Sequence, residues 1–124
     1  MAQKLAAKQV RIKRAYEPAA KEDGARILID RLWPRGIKKE DLQLSEWERE
    51  LSPSTELRKW FDHDPERWDE FQRRYKSELA EHADTLDALR ERARKEVICL
   101  VYGAHDEEHN NAVVVRDLLL HPGD

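Results

Sequence analysis

The chain has 124 residues, 40% of them charged, with a formal net charge of -3. This length suits one domain, and four Trp, three Tyr and two Phe argue against a disordered chain. The lack of a global basic excess gives no indication of bulk attraction to nucleic acid and leaves room only for a local basic patch.

The N-terminal third predicts two strands joined by a turn. Residues 1–8 are expected to form a loose extension before a single domain over residues 9–124. Residues 10–16 alternate between apolar and basic side chains, which predicts a strand. Residues 17–24 contain proline and glycine and predict a turn. Residues 25–32 predict a second strand, whose continuous apolar run is typical of a strand covered on both faces.

Helix signals dominate the middle of the chain. Residues 38–42 predict one helical turn, whereas the periodicity of residues 44–51 is consistent with either a strand or a helix. Ser52-Pro53 predicts an N-cap followed by the first helical residue, and Asp64-Pro65 repeats that signal. Apolar spacings of three and four over residues 68–79 then predict an amphipathic helix.

The C-terminal part predicts a helix, a buried strand and a last helix. Asp84 and Asp87 resemble a capping box for the first of these. Residues 97–102 form the clearest apolar strand, and residues 107–120 predict the last helix, with acids favoured at its N-terminus. Strands mixed with helices predict a compact α/β domain with a small, mainly parallel sheet flanked by helices.

The most informative segment is residues 30–36, which follows the second predicted strand. Ligands of open α/β sheets bind beyond the carboxyl ends of strands. Arg31 and Arg35 would hold a phosphate or carboxylate there, Trp33 would stack on a flat ring, and Asp30 would orient a guanidinium or bind a hydroxyl. A structural clamp is the alternative, in which the arginines pair with acids of this chain and Trp33 fills the core.

A second polar cluster follows the C-terminal apolar strand. Tyr102, Asp106, His109 and Asn110 surround a strand-to-helix junction, and a helix N-terminus there would offer N–H groups to an anion. We expect Tyr102 and Asn110 to bind ligand and Asp106 and His109 to act in acid–base catalysis. The neighbouring acids oppose this prediction because they would repel a phosphate.

Two histidine motifs favour structural interpretations. His63 beside Asp64 would act as a general acid or base, but a helix corner capped by Asp64 explains the same residues. His105 and His109 fit the H-x-x-E-H pattern of some zinc proteases. No third ligand is evident, so we predict no metal site.

Cofactor and compartment signals are sparse. The sequence has no P-loop and no dinucleotide glycine pattern, and we predict no cofactor. Cys99 is the single cysteine, which favours a reducing compartment, and its apolar strand predicts a buried, unreactive thiol. The start of the chain lacks a secretory signal, and no apolar run approaches the roughly 20 residues of a membrane span. We therefore expect a cytoplasmic protein that is not attached to a membrane.

Several motifs share their order and spacing with a known family. They are Asp30 to Gly36, Trp47, Pro53-Ser54, Glu56-Leu57-Arg58, Trp60-Phe61, His63-Asp64-Pro65, Arg67-Trp68, Phe71, Tyr75, Tyr102-Gly103-Ala104, Asp106 and His109-Asn110-Asn111-Ala112. Over roughly residues 9–120 the chain resembles the YeaO-like family of bacterial proteins, a domain of unknown function. The resemblance implies a small α/β fold and no established activity.

Two functional hypotheses stay open at this stage. The first is a small protein that binds an anionic, nucleotide-like ligand at the ends of its strands, with or without catalysis. The second is a non-enzymatic module for nucleic acid or a protein partner, suggested by the basic helix face over residues 67–76 and by abundant Trp and Arg. Net charge does not favour nucleic acid, and the sequence gives no oligomeric state.

Overall fold

The computed structural model of the protein describes residues 5–122. Residues 1–4 of the predicted N-terminal extension lie outside the described residues. The rest of that segment contacts the domain: Leu5 packs against the core, and the carbonyl of Ala7 accepts a hydrogen bond from Arg116 at 3.0 Å.

The described residues form four strands and five α-helices. The strands are β1 (Val10–Arg14), β2 (Ala25–Leu28), β3 (Glu46–Trp47) and β4 (Ile98–Tyr102). The helices are α1 (Lys39–Leu42), α2 (Thr55–Phe61), α3 (Trp68–Leu79), α4 (Ala83–Lys95) and α5 (Asn111–Leu120). Short 3-10 turns cover Ala7–Gln9, Lys21–Asp23, Arg49–Leu51, Pro65–Arg67 and Ala80–His82.

The four strands form one parallel sheet in the order β1-β4-β2-β3. Central β4 is entirely buried, as a continuous apolar run predicts for a strand covered on both faces. Its register pairs Leu100 with Ile12 of β1 and with Ile27 of β2. The predicted compact α/β domain with a small parallel sheet flanked by helices is confirmed.

The two faces of the sheet are covered by different parts of the chain. Ile27 and Leu100 pack into the main core against α2, α3, α4 and α5. Leu28 and Val101 alternate to the opposite face, where they pack with Leu42 of α1 and the loops around it. Because the segment after β2 turns to one face and the segment after β4 to the other, a crevice opens between these strand ends. This is the topological switch point at which open α/β sheets bind ligands.

Three predicted helix starts are wrong. Ser54, not Ser52, caps α2, because its hydroxyl accepts the N–H of Leu57 at 3.1 Å. Helix α4 begins at Ala83 without a side-chain cap, so Asp84 lies inside the helix and forms no capping box. Helix α5 begins at Asn111 rather than residue 107, because Asn110 supplies the cap.

The amphipathic pattern of α3 is confirmed. Phe71, Tyr75 and Leu79 are buried in the main core, and the Tyr75 hydroxyl donates to the carbonyl of Leu51. Within residues 5–122, no helix combines the length and the apolar character needed to cross a membrane.

Candidate functional site

A pocket of about 650 Å³ lies at the carboxyl ends of β2 and β4, within the size range of small-molecule sites. It is bounded by the turn after β2, the segment around α2 and the loop before α5. Its lining residues are Asp30, Arg31, Leu32, Arg35, Ser52, Pro53, Arg58, Phe61, His63, Phe71, Gly103, Ala104, His105, His109, Asn110 and Asn111. The two predicted strand-end segments therefore meet at one pocket.

The turn after β2 is anchored from outside the pocket. Trp33 packs on the opposite face of the sheet, edge-on to Trp47 with ring centroids 5.6 Å apart, and its indole N–H donates to the carbonyl of Ile37 at 2.7 Å. The Tyr16 hydroxyl donates to the carbonyl of Arg35 at 3.1 Å. Trp33 therefore fixes the turn and lies away from the pocket, so the structure gives no geometry for its predicted stacking on a ligand.

Three arginines line this pocket, and all three are exposed. Arg31 and Arg35 come from the turn after β2, and Arg58 comes from α2. Within residues 5–122, none of their side chains donates a hydrogen bond or forms an ion pair. The lining carries three guanidinium groups and one carboxylate, that of Asp30. With its histidines counted as neutral, the lining therefore has a net positive charge.

The other described arginines all have partners. Each forms an ion pair, hydrogen bonds or an aromatic contact within residues 5–122; these residues are Arg11, Arg14, Arg26, Arg49, Arg67, Arg73, Arg74, Arg90, Arg92, Arg94 and Arg116. The unpaired guanidinium groups are therefore concentrated at the pocket.

Asp30 is the single carboxylate in the lining. One oxygen accepts the backbone N–H of Gly103 at 2.8 Å and the other accepts the amide of Asn111 at 2.9 Å. Burial raises the pKa of Asp30, against the lowering effects of these two bonds and of the Arg58 charge. A Cβ at Gly103 would lie 3.1 Å from the Asp30 carboxylate, so glycine allows this close approach.

Asp106 and His109 form a hydrogen-bonded pair in the loop before α5. One Asp106 oxygen accepts the N–H groups of Glu108 and His109, and the other lies 2.9 Å from Nδ1 of His109. Since a carboxylate only accepts, Nδ1 carries the proton and Nε2 remains available. The Glu108 N–H bond is the largest cause lowering the pKa of Asp106. His109 lines the pocket; Asp106 lies behind it.

Two further predicted ligand-binding residues have structural partners. Tyr102 is buried, and burial raises its pKa; it does not belong to the lining. Asn110 lines the pocket but is 3% exposed, and its side chain caps α5 through Val113 and bonds the carbonyl of Asp106. These bonds leave Asn110 little capacity for a ligand.

The sequence analysis did not predict Arg58 or Asn111 as site residues. Both come from elements distant in sequence from the turn, and only the packing of α2 and α5 around the strand ends brings them together. Their signal was indirect, because both lie within the motifs of the family resemblance. His63 also lines the pocket, on a backbone with φ of +54° that follows Asp62 at φ of +45°. Such strained conformations cluster at functional sites.

The zinc-protease pattern lacks its structural basis. Residues 105–109 precede α5 rather than forming a helix, so the four-residue spacing does not place both histidines on one helix face. His105 instead contacts Arg14, with 3.3 Å between Nδ1 and the guanidinium. Within residues 5–122, no group of three metal-ligating side chains is arranged to hold an ion.

The basic face of α3 is paired within the chain. Arg73 and Arg74 both bond Glu70, and Lys76 lies 3.0 Å from a carboxylate oxygen of Asp117. Arg74 also covers the ring of Trp60 at 4.3 Å. Exposed pairs of this kind are typical of a solvated helix surface.

The fold and site define a four-stranded parallel α/β domain with a basic pocket at its switch point. The chain belongs to the family described as the inactive DUF488-N3 subclade, whose model matches residues 9–123.

Individual relatives agree with this membership. The chain is 46% identical over 110 residues to uncharacterized protein YeaO of Escherichia coli K12, covering 89% of this chain and 96% of that protein. It is 40% identical over 111 residues to uncharacterized protein Mb3100c of Mycobacterium bovis and to uncharacterized protein Rv3073c of Mycobacterium tuberculosis H37Rv, covering 90% of this chain and 93% of each. The resemblance to the YeaO-like family is thus confirmed. No solved structure is significantly similar to the chain.

Proposed function

We propose that the protein binds a small anionic, nucleotide-like molecule in the pocket at the carboxyl ends of β2 and β4. The observation that carries this proposal is the distribution of arginine partners. Arg31, Arg35 and Arg58 have no hydrogen bond or ion pair within residues 5–122, and all three line this pocket.

The position and shape of the pocket support the same conclusion. It lies at the switch point of the sheet, where related architectures bind ligands. Guanidinium groups form paired, charge-assisted hydrogen bonds with phosphate or carboxylate oxygens. Phe61, Phe71 and Pro53 supply apolar lining beside these cations, which suits a ligand that combines an anion with an organic ring system.

Binding, rather than turnover, is the activity we propose. The description of the family as inactive agrees with it. Asp106 and His109 retain the geometry of an oriented acid–base pair, so their predicted catalytic role stays a prediction. It is checked by incubating AMP with wild type and with His109→Ala and following its loss by chromatography. If wild type consumes AMP and His109→Ala does not, the protein is a catalyst, and the proposal of binding without turnover is wrong.

A cytoplasmic location is part of this proposal, supported by the single cysteine, Cys99, which has no second cysteine to pair with.

We do not propose the alternative of a module for nucleic acid or a protein partner, because the cations of α3 that suggested it are paired with neighbouring residues.

Calorimetric titration tests the ligand proposal. The probes are AMP, ribose 5-phosphate and inorganic phosphate, with uncharged adenosine as the ligand control. Arg35→Ala and Arg58→Ala should each weaken binding of AMP about tenfold to a hundredfold, since one charged hydrogen-bonding partner is lost. Lys59→Ala is the matched control, because Lys59 is an exposed cation next to Arg58 that does not line the pocket.

Two results would contradict the proposal. The first is that wild type binds none of the three anions at millimolar concentration. The second is that the two arginine variants bind AMP as tightly as Lys59→Ala does.

A further inference from the structure

The carboxylate of Asp30 has no evident function in holding an anion. It lies in a pocket with three arginines, yet its hydrogen bonds come from two neutral donors, the Gly103 N–H and the Asn111 amide. A carboxylate that served only to neutralise these arginines would be expected to bond one of them directly. Arg58 acts on it only through its charge.

Asp30 has acceptor capacity left on the side of the pocket. An ionised carboxylate offers about four lone-pair positions on two oxygens, and each Asp30 oxygen accepts one hydrogen bond from the described residues, at 2.8 and 2.9 Å. Because Asp30 lines the pocket, a ligand can reach the remaining positions. A ligand donor that reaches them would form a charge-assisted hydrogen bond, which is stronger than a bond between neutral groups.

The surrounding charge decides which donor fits. A cationic group of a ligand would be repelled by Arg31, Arg35 and Arg58, whereas neutral hydroxyls would not. Two hydroxyls on adjacent carbons can each donate to one carboxylate oxygen. An acidic residue after a strand binds ribose hydroxyls in dinucleotide-binding sheets by the same chemistry.

We propose, resting on the proposed function above, that the pocket selects phosphorylated compounds with a vicinal diol, such as ribonucleoside 5′-monophosphates, and that Asp30 recognises the diol. Arg31, Arg35 and Arg58 hold the phosphate. Phe61 and Pro53 form the apolar wall beside the sugar and its substituent. Asp30 is thus a specificity-determining residue, and its carboxylate also joins the ends of β2 and β4 through Gly103.

The test measures, by calorimetric titration, the affinities of wild type and of Asp30→Asn for three probes. These probes are AMP, 2′-deoxy-AMP and inorganic phosphate. Wild type should bind AMP about tenfold to a hundredfold more tightly than 2′-deoxy-AMP, since a charged hydrogen bond is lost. In Asp30→Asn this ratio should fall towards one while the affinity for inorganic phosphate is kept. The ratio is the readout because a purely structural role would weaken both nucleotides alike.

The outcomes separate this inference from the proposed function. Equal binding of AMP and 2′-deoxy-AMP by wild type, or binding of phosphate alone, overturns the diol inference and leaves the anion site intact. A wild-type preference that persists in Asp30→Asn overturns the role of Asp30. If wild type binds none of these three probes and does not bind ribose 5-phosphate, both proposals are overturned. Circular dichroism checks the fold of Asp30→Asn. If this variant is unfolded, the ratio of the wild-type affinities for AMP and 2′-deoxy-AMP still tests the selection of the diol.

Discussion

Asp23 is a fully buried carboxylate that holds together a cluster of cations on the sheet face opposite the main core. It lies 2.7 Å from Arg26, 3.2 Å from Lys13 and 3.4 Å from Arg11, and accepts the N–H of Ala20 at 3.0 Å. The Arg26 side chain is only 4% exposed, and its second terminal nitrogen has no partner within residues 5–122. Asp23 is therefore the counter-ion on which the burial of Arg26 depends.

Asp23→Ala would leave the Arg26 charge buried without that counter-ion. Breaking a buried pair by removing one partner costs about 3–5 kcal/mol. With a urea m-value of about 1.5 kcal/mol/M, the midpoint of unfolding should fall by about 2–3 M. Glu22→Ala is the matched control, because it removes the same charge from an exposed neighbouring position and should change stability by less than about 0.5 kcal/mol.

The effect of Asp23 should also depend on pH. Burial alone would raise the pKa of Asp23, but the bonds from Ala20, Lys13 and Arg26 outweigh it and hold the pKa below its usual value. For a carboxyl with a lowered pKa, the stabilisation is complete above the unfolded value of about 3.9 and is lost as the pH falls through the folded value. The difference between wild type and Asp23→Ala should therefore be constant near neutrality and shrink in acid. If Asp23→Ala lowers the free energy of unfolding at pH 7 by less than about 1 kcal/mol, or by no more than Glu22→Ala does, this reasoning is refuted.

Three further predictions concern caps, glycines and the thiol. Ser54→Ala should destabilise the protein by about 1–2 kcal/mol in urea unfolding, and Ser52→Ala by less than about 0.5, because only the first removes a helix cap; equal losses would contradict the cap assignment. Gly24→Ala should lower the free energy of unfolding by more than about 2 kcal/mol, since its φ is positive and the new Cβ would lie 2.0 Å from a backbone carbonyl oxygen. Gly36→Ala should lower it by about 1 kcal/mol, because only the positive φ opposes the substitution there. Urea unfolding of both variants tests this difference, and equal losses would contradict it. Burial raises the pKa of Cys99 to about 11, so a disulfide reagent should label it only after unfolding, and rapid labelling of the folded protein would contradict its burial.

The sequence predicted the sheet better than the helix ends. Continuous apolar runs identify β2 and β4 because burial on both faces leaves no polar alternation. Helix ends failed where several capping residues compete within a few positions, as Ser52 and Ser54 do before α2. The same competition displaced the start of α5, where Asp106 bonds N–H groups within its own loop and Asn110 supplies the cap. Spacing alone cannot rank such caps, because their bonds depend on the path of the preceding loop.

The candidate site was predictable only in its local parts. Arg31 and Arg35 follow β2 directly, so the general position of ligand sites in parallel sheets identifies them. Arg58 comes from a helix that crosses to the strand ends, and no local pattern links it to the turn. For Trp33 the local pattern was misleading. An indole beside two arginines suggests a ligand contact, but Trp33 packs against Trp47 on the face of the sheet opposite the main core.

The choice between a ligand site and an internal clamp depends on what the nearby acids bond. A clamp requires carboxylates for Arg31 and Arg35. Asp30 is bonded by neutral donors, and Asp106 bonds within its own loop and to the ring of His109. The exposed Glu107 and Glu108 do not line the pocket. These contacts of the nearby acids favour the proposed ligand site over an internal clamp for Arg31 and Arg35.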